Sequence, residues 1–275
     1  MTFVSREVTV DQGTPVTIFL FQHGFNKELL YTNVDKNVVF GGKTYQPASI
    51  RHASITSNAT LDSSSLELSM AADLEVVKLF TEYPPTTPVT LRIFQGHLND
   101  ADNQFLAIWN GRVLSHRIEG SEATLSCEPT YVGNRRVGLR RHWQYSCPHV
   151  LYGDQCRASE ANGTKTLTVS SVSKRGITLP TGWNGTVATT SFTGGMVEWN
   201  NNGNTEIRSI VGVVNGRELR VDGLVRGLAT GDTVKVIVGC NRQLSDCRDI
   251  HDNVLNFGGA HAIPQINPQS IRNLY

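Results

Sequence analysis

The chain has 275 residues, 25 Lys and Arg against 24 Asp and Glu, a net charge of +1 and 18% charged residues. That length suits two domains or one elaborated β domain. The near-neutral charge excludes a general pull on nucleic acid, and no apolar run is long enough for a membrane-spanning helix.

The start, MTFVSREVTV, lacks the basic stretch, apolar core and small-residue cleavage site of a secretory signal, so synthesis in a cytoplasm is expected. The segments VTIFLF, ELLYTN, VVFGGKTYQP, SLELSM, VTLRIFQG, AIWNGRVLSHRIEG and EATLSCE then read as strands up to about residue 128. With 25 glycines in the chain, FGGKT, WNGRV and VNGREL read as turn signals between alternating apolar runs. One amphipathic helix is expected over DLEVVKLFTEY, capped by Asp73 and stopped by Pro84 and Pro85. A basic segment, GNRRVGLRRHWQYS, carries Arg135, Arg136, Arg140 and Arg141. Alternation resumes in KTLTVSSV, GITLP, GGMVEWN, TEIRSIVGVVNGRELRVDG and TVKVIVG, and the tail from His251 is rich in Gly, Pro and Asn. The expected fold is mainly β, antiparallel barrels or sandwiches with a few short helices and two or more subdomains. The boundaries are a β-rich domain over 1–128 and a cysteine domain over 129–275, built from 129–160 and 236–275 around an inserted β unit, 161–235.

The cysteines carry the chemistry. Cys147 and Cys156 form one close pair, Cys240 and Cys247 another, and more than eighty cysteine-free residues separate the pairs. Four thiolates delivered to one point would hold a soft metal or an iron-sulfur cluster. A helical NRQLSD segment would align Cys240 and Cys247 on one face, and Gly153 would turn PHVLYGDQ. Disulfides, a zinc site, an iron-sulfur cluster and free thiols all remain open from spacing alone. Zinc knuckles usually space ligands two to four residues apart, which neither pair does, and a cubane tolerates wider spacing. Cys127, on an alternating strand, reads as a buried free thiol outside the site.

Catalytic patterns are weak. Cys147 with His149 or His251, oriented by Asp252, is the one nucleophile pair that can be drawn. Walker, dinucleotide, zinc-peptidase and nucleophile-elbow motifs are missing from the sequence. The four arginines read as an ion-paired face, as support for an anionic cluster, or as a grip on phosphates or an acidic partner.

The ordered set RRVGLRRHWQYSCPHVLYGDQC, GDTVKVIVGC and NVLNFGGAHAIP resembles the signature of phage minor tail proteins. These are hub or tail-tip proteins of long non-contractile tails, including the gene transfer agent hub and the cluster-binding tip protein of lambda-like phages. The resemblance runs from about residue 130 to 264 and departs at GGAHAIP, where relatives tend to carry an aromatic-Pro step. It implies a [4Fe-4S] cluster on Cys147, Cys156, Cys240 and Cys247, with zinc as the alternative metal. It further implies a non-enzymatic homotrimer in the virion tail tip, between a distal tail protein and a central tip or fibre protein. No specific nucleic-acid binding is expected. The alternative is a tail-associated cell-wall hydrolase using Cys147 and His251.

Overall fold

The computed structural model describes residues 6–9, 13–25, 27–55, 65–81, 83–98, 100–135 and 142–263. Two compact units, Met1–Arg136 and Val137–Tyr275, divide the chain. Both are mainly β.

The first unit is one nine-stranded sheet. Its strands are β1 (Pro15–His23), β2 (Lys27–Thr32), β3 (Val38–Phe40), β4 (Lys43–Pro47), β5 (Ile50–His52), β6 (Leu66–Ala71), β7 (Val89–His97), β8 (Phe105–Glu119) and β9 (Glu122–Pro129). They lie in the order β3-β4-β2-β1-β7-β8-β9-β6-β5, antiparallel except where β2 meets β4 at Tyr31–Gln46 and Thr32–Pro47. β1 is buried without a break from Val16 to Phe21 because both of its faces are covered. Phe19 and Phe21 enter one core with Leu29, Leu91 and Leu125, while Val16, Ile18 and Leu20 enter another with Val38, Tyr45 and Phe105. Each such large side chain contributes about 1.5–3 kcal/mol of burial.

Two of the expected turns hold, and one does not. Gly41 and Gly42 join β3 to β4 at φ of 58° and 75°, the left-handed pair a two-residue hairpin requires. WNGRV instead runs straight through β8. A Cβ on Gly111 would lie 2.1 Å from the Glu128 carbonyl oxygen of β9, so this glycine permits a close strand approach and does not turn the chain.

The expected helix shrinks to α1 (Glu75–Lys78), with Leu74 at its N-cap and no side-chain cap from Asp73. It ends well before Pro84. Val76, Val77 and Phe80 drop into the first core, and the Phe80 N–H closes on the Val77 carbonyl at 2.9 Å, a tight terminal turn. One turn seats all three anchors, and two adjacent β-branched residues favour helix poorly.

In the second unit α2 (Glu160–Gly163) leads into β10 (Thr164–Thr168). There follow β11 (Ser171–Val172), β12 (Gly176–Thr178), β13 (Met196–Asn201), β14 (Asn204–Val214), β15 (Glu218–Val221) and β16 (Thr233–Ile237). The order is β10-β16-β13-β14-β15-β12-β11, antiparallel throughout. Val197 and Trp199 of β13 and Val234 and Val236 of β16 alternate into a core shared with Phe192 and Trp183. Both indoles find acceptors: Trp183 donates to the Gly216 carbonyl at 2.9 Å and Trp199 to that of Arg226 at 2.8 Å.

The inward face of β14 also carries a charge pair, Glu206 and Arg208, whose side chains are 3% and 5% exposed and 3.1 Å apart. Arg208 further donates to the Ile207 carbonyl at 3.0 Å. Removing one member of such a buried pair takes its charge away from the other, which stays out of water. Glu206→Ala should therefore destabilise the second unit by about 3–5 kcal/mol in denaturant melts, and replacing both residues with apolar ones should cost much less. Equal losses in the single and double variants would show that packing, not charge, governs the site.

Candidate metal centre

The stretch before Cys147 is pinned by its backbone. The Gln144 carbonyl accepts from the Ala260 N–H at 2.9 Å, and the Cys147 N–H donates to the Arg242 carbonyl at 2.8 Å. The chain then turns, with the Gly153 N–H on the Val150 carbonyl at 3.1 Å. Gly153 sits in the turn as expected, but the left-handed residues are Tyr152 (φ 60°) and Arg157 (φ 56°). Tyr152 is held there because its hydroxyl donates to the Val238 carbonyl at 2.9 Å and its ring meets His251 edge-on at 5.7 Å. The backbone of Gly163 makes room for that hydroxyl, since a Cβ there would lie 2.4 Å from it.

The second pair is built differently from the expected two-turn helix. Cys240 lies in the loop after β16, and only Cys247 is helical, on α3 (Leu244–Asp249). Arg242 turns the chain at φ 61°, its N–H 3.3 Å from the Cys240 sulfur, and the Asn241 N–H is taken by the Asp246 carboxylate at 2.7 Å. Asp246 supports the start of α3, and the bend brings Cys240 and Cys247 together without a continuous helix.

All four cysteines line one cavity of about 230 Å³, and all five of the chain are free thiols, so neither close pair is a disulfide. Polar hydrogens surround the sulfurs. The Gly258 N–H lies 3.4 Å from the Cys147 sulfur, and the Asn253 side-chain amide lies 3.7 Å from that of Cys156. The Cys247 thiol donates to the Asn253 carbonyl at 3.0 Å. Burial pushes the Cys247 thiol up to about 11, helped by the neighbouring Cys147, Cys240, Cys156 and Asp246. Cys240 is raised too, chiefly by burial, against the Arg242 N–H that lowers it. Cys240 and Cys247 are thus favoured as neutral thiols. A bound cation would convert them to thiolates.

Among the described residues no three His, Cys, Asp or Glu side chains converge tightly enough to hold a metal ion. Zinc requires sulfurs at about 2.3 Å from one centre. Four thiols line the cavity, with N–H groups near three of them, and such donors are the kind that tune a thiolate-bound metal group.

The hydrolase pairing fares less well. His251 Nε2 lies 2.9 Å from the Gly239 carbonyl, which can only accept, so that nitrogen carries the proton and is engaged. The Cys147 sulfur meets the Gly258 N–H. His149 faces the Asn256 carbonyl at 3.1 Å. Of the arginines, Arg135 closes the 3-10 turn Thr130–Arg135, while Arg136, Arg140 and Arg141 lie outside the described residues. Sequence reasoning passed over Arg242 and Asn253, and it gave His149 no part in packing, although a Cβ on Gly258 would press on that ring at 2.4 Å. The Gly-Gly step was the one visible signal of that close approach.

Residues 190–267, which include Cys240 and Cys247, match the model of a family described as "Phage conserved hypothetical protein BR0599". No curated protein matches the chain. Among solved structures, a chain of the "Virion of native gene transfer agent (GTA) particle" superposes with a TM-score of 0.80 at 17% identity, over 96% of this chain and 92% of that one. The two share a fold. The likeness spans both units, whereas the family match is confined to the second.

Cys127 sits in the first core on β9, opposite Leu66 and Val113, apart from the quartet's cavity. Burial pushes its thiol from 9.0 up to about 12. A folded-state value above the unfolded one gives stability that is complete below pH 9 and is lost as pH rises from there toward about 12. Metal-free Cys127→Ala should show a stability-pH curve flatter by about 1.4 kcal/mol per pH unit in that window. Prepared without stripping, Cys127→Ala should carry the same metal content as the wild type. A variant stripped of metal would put Cys127 in the site.

Proposed function

We propose that this chain is a structural component of a phage-type virion, placed at the tip of a non-contractile tail and stapled by a [4Fe-4S] cluster on Cys147, Cys156, Cys240 and Cys247. The observation that carries the reading is the convergence of the four cysteines, from segments separated by a whole β-sheet, on one cavity. The phage family match, the fold shared with a virion chain and the tail-hub resemblance of the sequence supply the setting.

When bound, the cluster supplies a cross-link between chain segments. The protein's own part is to present the sulfurs and to exclude water. The Arg242, Gly258 and Asn253 N–H groups face sulfur, where they stabilise negative charge. Four protein ligands complete the shell of a cubane and leave no iron open to substrate, which suits a staple better than an enzyme. The loops bearing the cysteines also expose apolar side chains, among them Trp143 at 89% and Leu255 at 99%. In an assembled tail such surface is covered by neighbouring subunits. A trimeric ring between a distal tail protein and a central tip protein provides that cover, and closed cyclic symmetry suits a part that surrounds a channel. No helix among the described residues is long and apolar enough to cross a membrane.

Protein purified without oxygen should be brown and contain iron and acid-labile sulfide in equal amounts, both lost in Cys147→Ser and Cys240→Ser. Stoichiometric zinc without sulfide would replace the cluster with the zinc staple. Immunogold labelling of intact virions should mark the tail tip, and label on the capsid or tail tube would refute the placement. Purified bacterial cell walls should stay intact on incubation with the protein. Hydrolysis lost in Cys147→Ala with the metal content retained would instead identify an enzyme.

A further inference from the structure

Asn253 engages every polar group it has, and its side-chain nitrogen joins the two cysteine segments. It is 7% exposed and follows Asp252, which turns left-handed at φ 47° just beyond α3. Its backbone N–H donates to the Cys247 carbonyl at 2.8 Å, and its own carbonyl accepts from the Cys247 thiol at 3.0 Å and the Asn256 N–H at 3.2 Å. Its side-chain Nδ2 donates to the Cys156 carbonyl at 2.5 Å and lies 3.7 Å from the Cys156 sulfur. Its Oδ1 accepts from the Asn256 amide at 2.6 Å.

The orientation of this amide follows from its partners. A backbone carbonyl can only accept, so the atom facing Cys156 must be the nitrogen. One face of the Asn253 backbone is thus tied to Cys247, while the side chain reaches a cysteine 97 positions earlier. We infer that Asn253 is the positioning residue of the cysteine site, holding Cys156 and Cys247 at a fixed separation and directing an N–H toward the Cys156 sulfur. The inference rests on the reading of the quartet as a metal-binding set and adds to it a residue that no ligand motif marks.

An isosteric aspartate separates this role from simple space filling. The carboxylate of Asn253→Asp has nothing to donate, so it opposes the Cys156 carbonyl and brings negative charge to the thiolates. Removing an N–H donor and adding negative charge both favour the more oxidised cluster, so the reduction potential should fall. Asn253→Ala loses the donor without adding charge, and Asn256→Ala removes a buttress while keeping the donor.

The test compares these three variants with wild type as full-length protein prepared anaerobically. It measures iron retained against a ferrous chelator, the reduction potential, and melting of the metal-free proteins followed by tryptophan fluorescence. Asn253→Asp should hold iron roughly 10–100-fold less tightly, a typical cost of losing an outer-shell partner, and its potential should drop. Asn253→Ala should show a smaller drop and Asn256→Ala almost none, with metal-free melting unchanged in all three. Asn253→Asp with wild-type retention and potential would overturn the inference, as would an Asn256→Ala protein equally impaired. Wild type that holds zinc and no sulfide would overturn the cluster reading alone. Retention of zinc by the same variants would then decide the role of Asn253, and wild-type zinc retention in Asn253→Asp would overturn it.

Discussion

Four thiols can share one cavity only if the second unit returns its chain to the place where it left. The pairing of β10 with β16 meets that demand. Thr164, at the first residue of the inserted sheet, pairs with Ile237 at the last residue of β16, and the Val238 N–H extends the ladder onto the Gly163 carbonyl at 3.0 Å. Whatever the sheet does between those points, its entry and exit stay hydrogen-bonded to each other. Cys156 lies a few residues before the entry and Cys240 a few after the exit. The glycines at this seam reflect the crowding: a Cβ on Gly195 would lie 2.2 Å from the Ile237 carbonyl oxygen and one on Gly239 would lie 2.4 Å from that of Thr193.

From that seam the loops are fixed mainly by hydrogen bonds to backbone carbonyls. Cys147 is tied to Arg242, Gln144 to Ala260, Tyr152 to Val238 and Cys156 to Asn253. Val150 and Leu255, in contrast, face solvent. Ordering each loop residue costs about 1–2 kcal/mol of backbone entropy, and scattered hydrogen bonds return about 1 kcal/mol each, so the loops have little margin without a further cross-link. The proposed metal group, ligated by both segments, would supply it, because metal-binding free energy becomes folding free energy where the bare site is weakly held. The raised thiol of Cys247 is the cost of burying it, and then of crowding it against the other thiols and Asp246.

Much of this was legible in the letters. Alternation in ATLSCE and VEW gave strands whose inward residues, Leu125, Cys127, Val197 and Trp199, are those buried. The paired cysteines pointed to one site because soft-metal ligands recur in pairs. What failed was local geometry. A seven-residue spacing fits a helix equally well as a bend followed by a turn and a half of helix, and the Arg242 left-handed turn has no compositional mark. Gly153 looked like the turn residue, yet Tyr152 takes the positive φ because distant groups, Val238 and His251, hold it there. WNG reads as a hairpin wherever it occurs, and only the closeness of the Glu128 carbonyl shows why Gly111 belongs inside a strand. Nor do the letters TEIR reveal that Glu206 and Arg208 face the core, since each neutralises the other only in three dimensions.

The central claim is that one bound group couples the two cysteine segments into a single rigid element. Hydrogen exchange measured by mass spectrometry on anaerobic protein, before and after chelation of its metal, addresses that coupling directly. The account predicts that amides of 142–163 and 238–263 lose protection together on chelation, while β13 and β14 keep theirs. Segments that loosen independently, or do not respond to chelation at all, would contradict it.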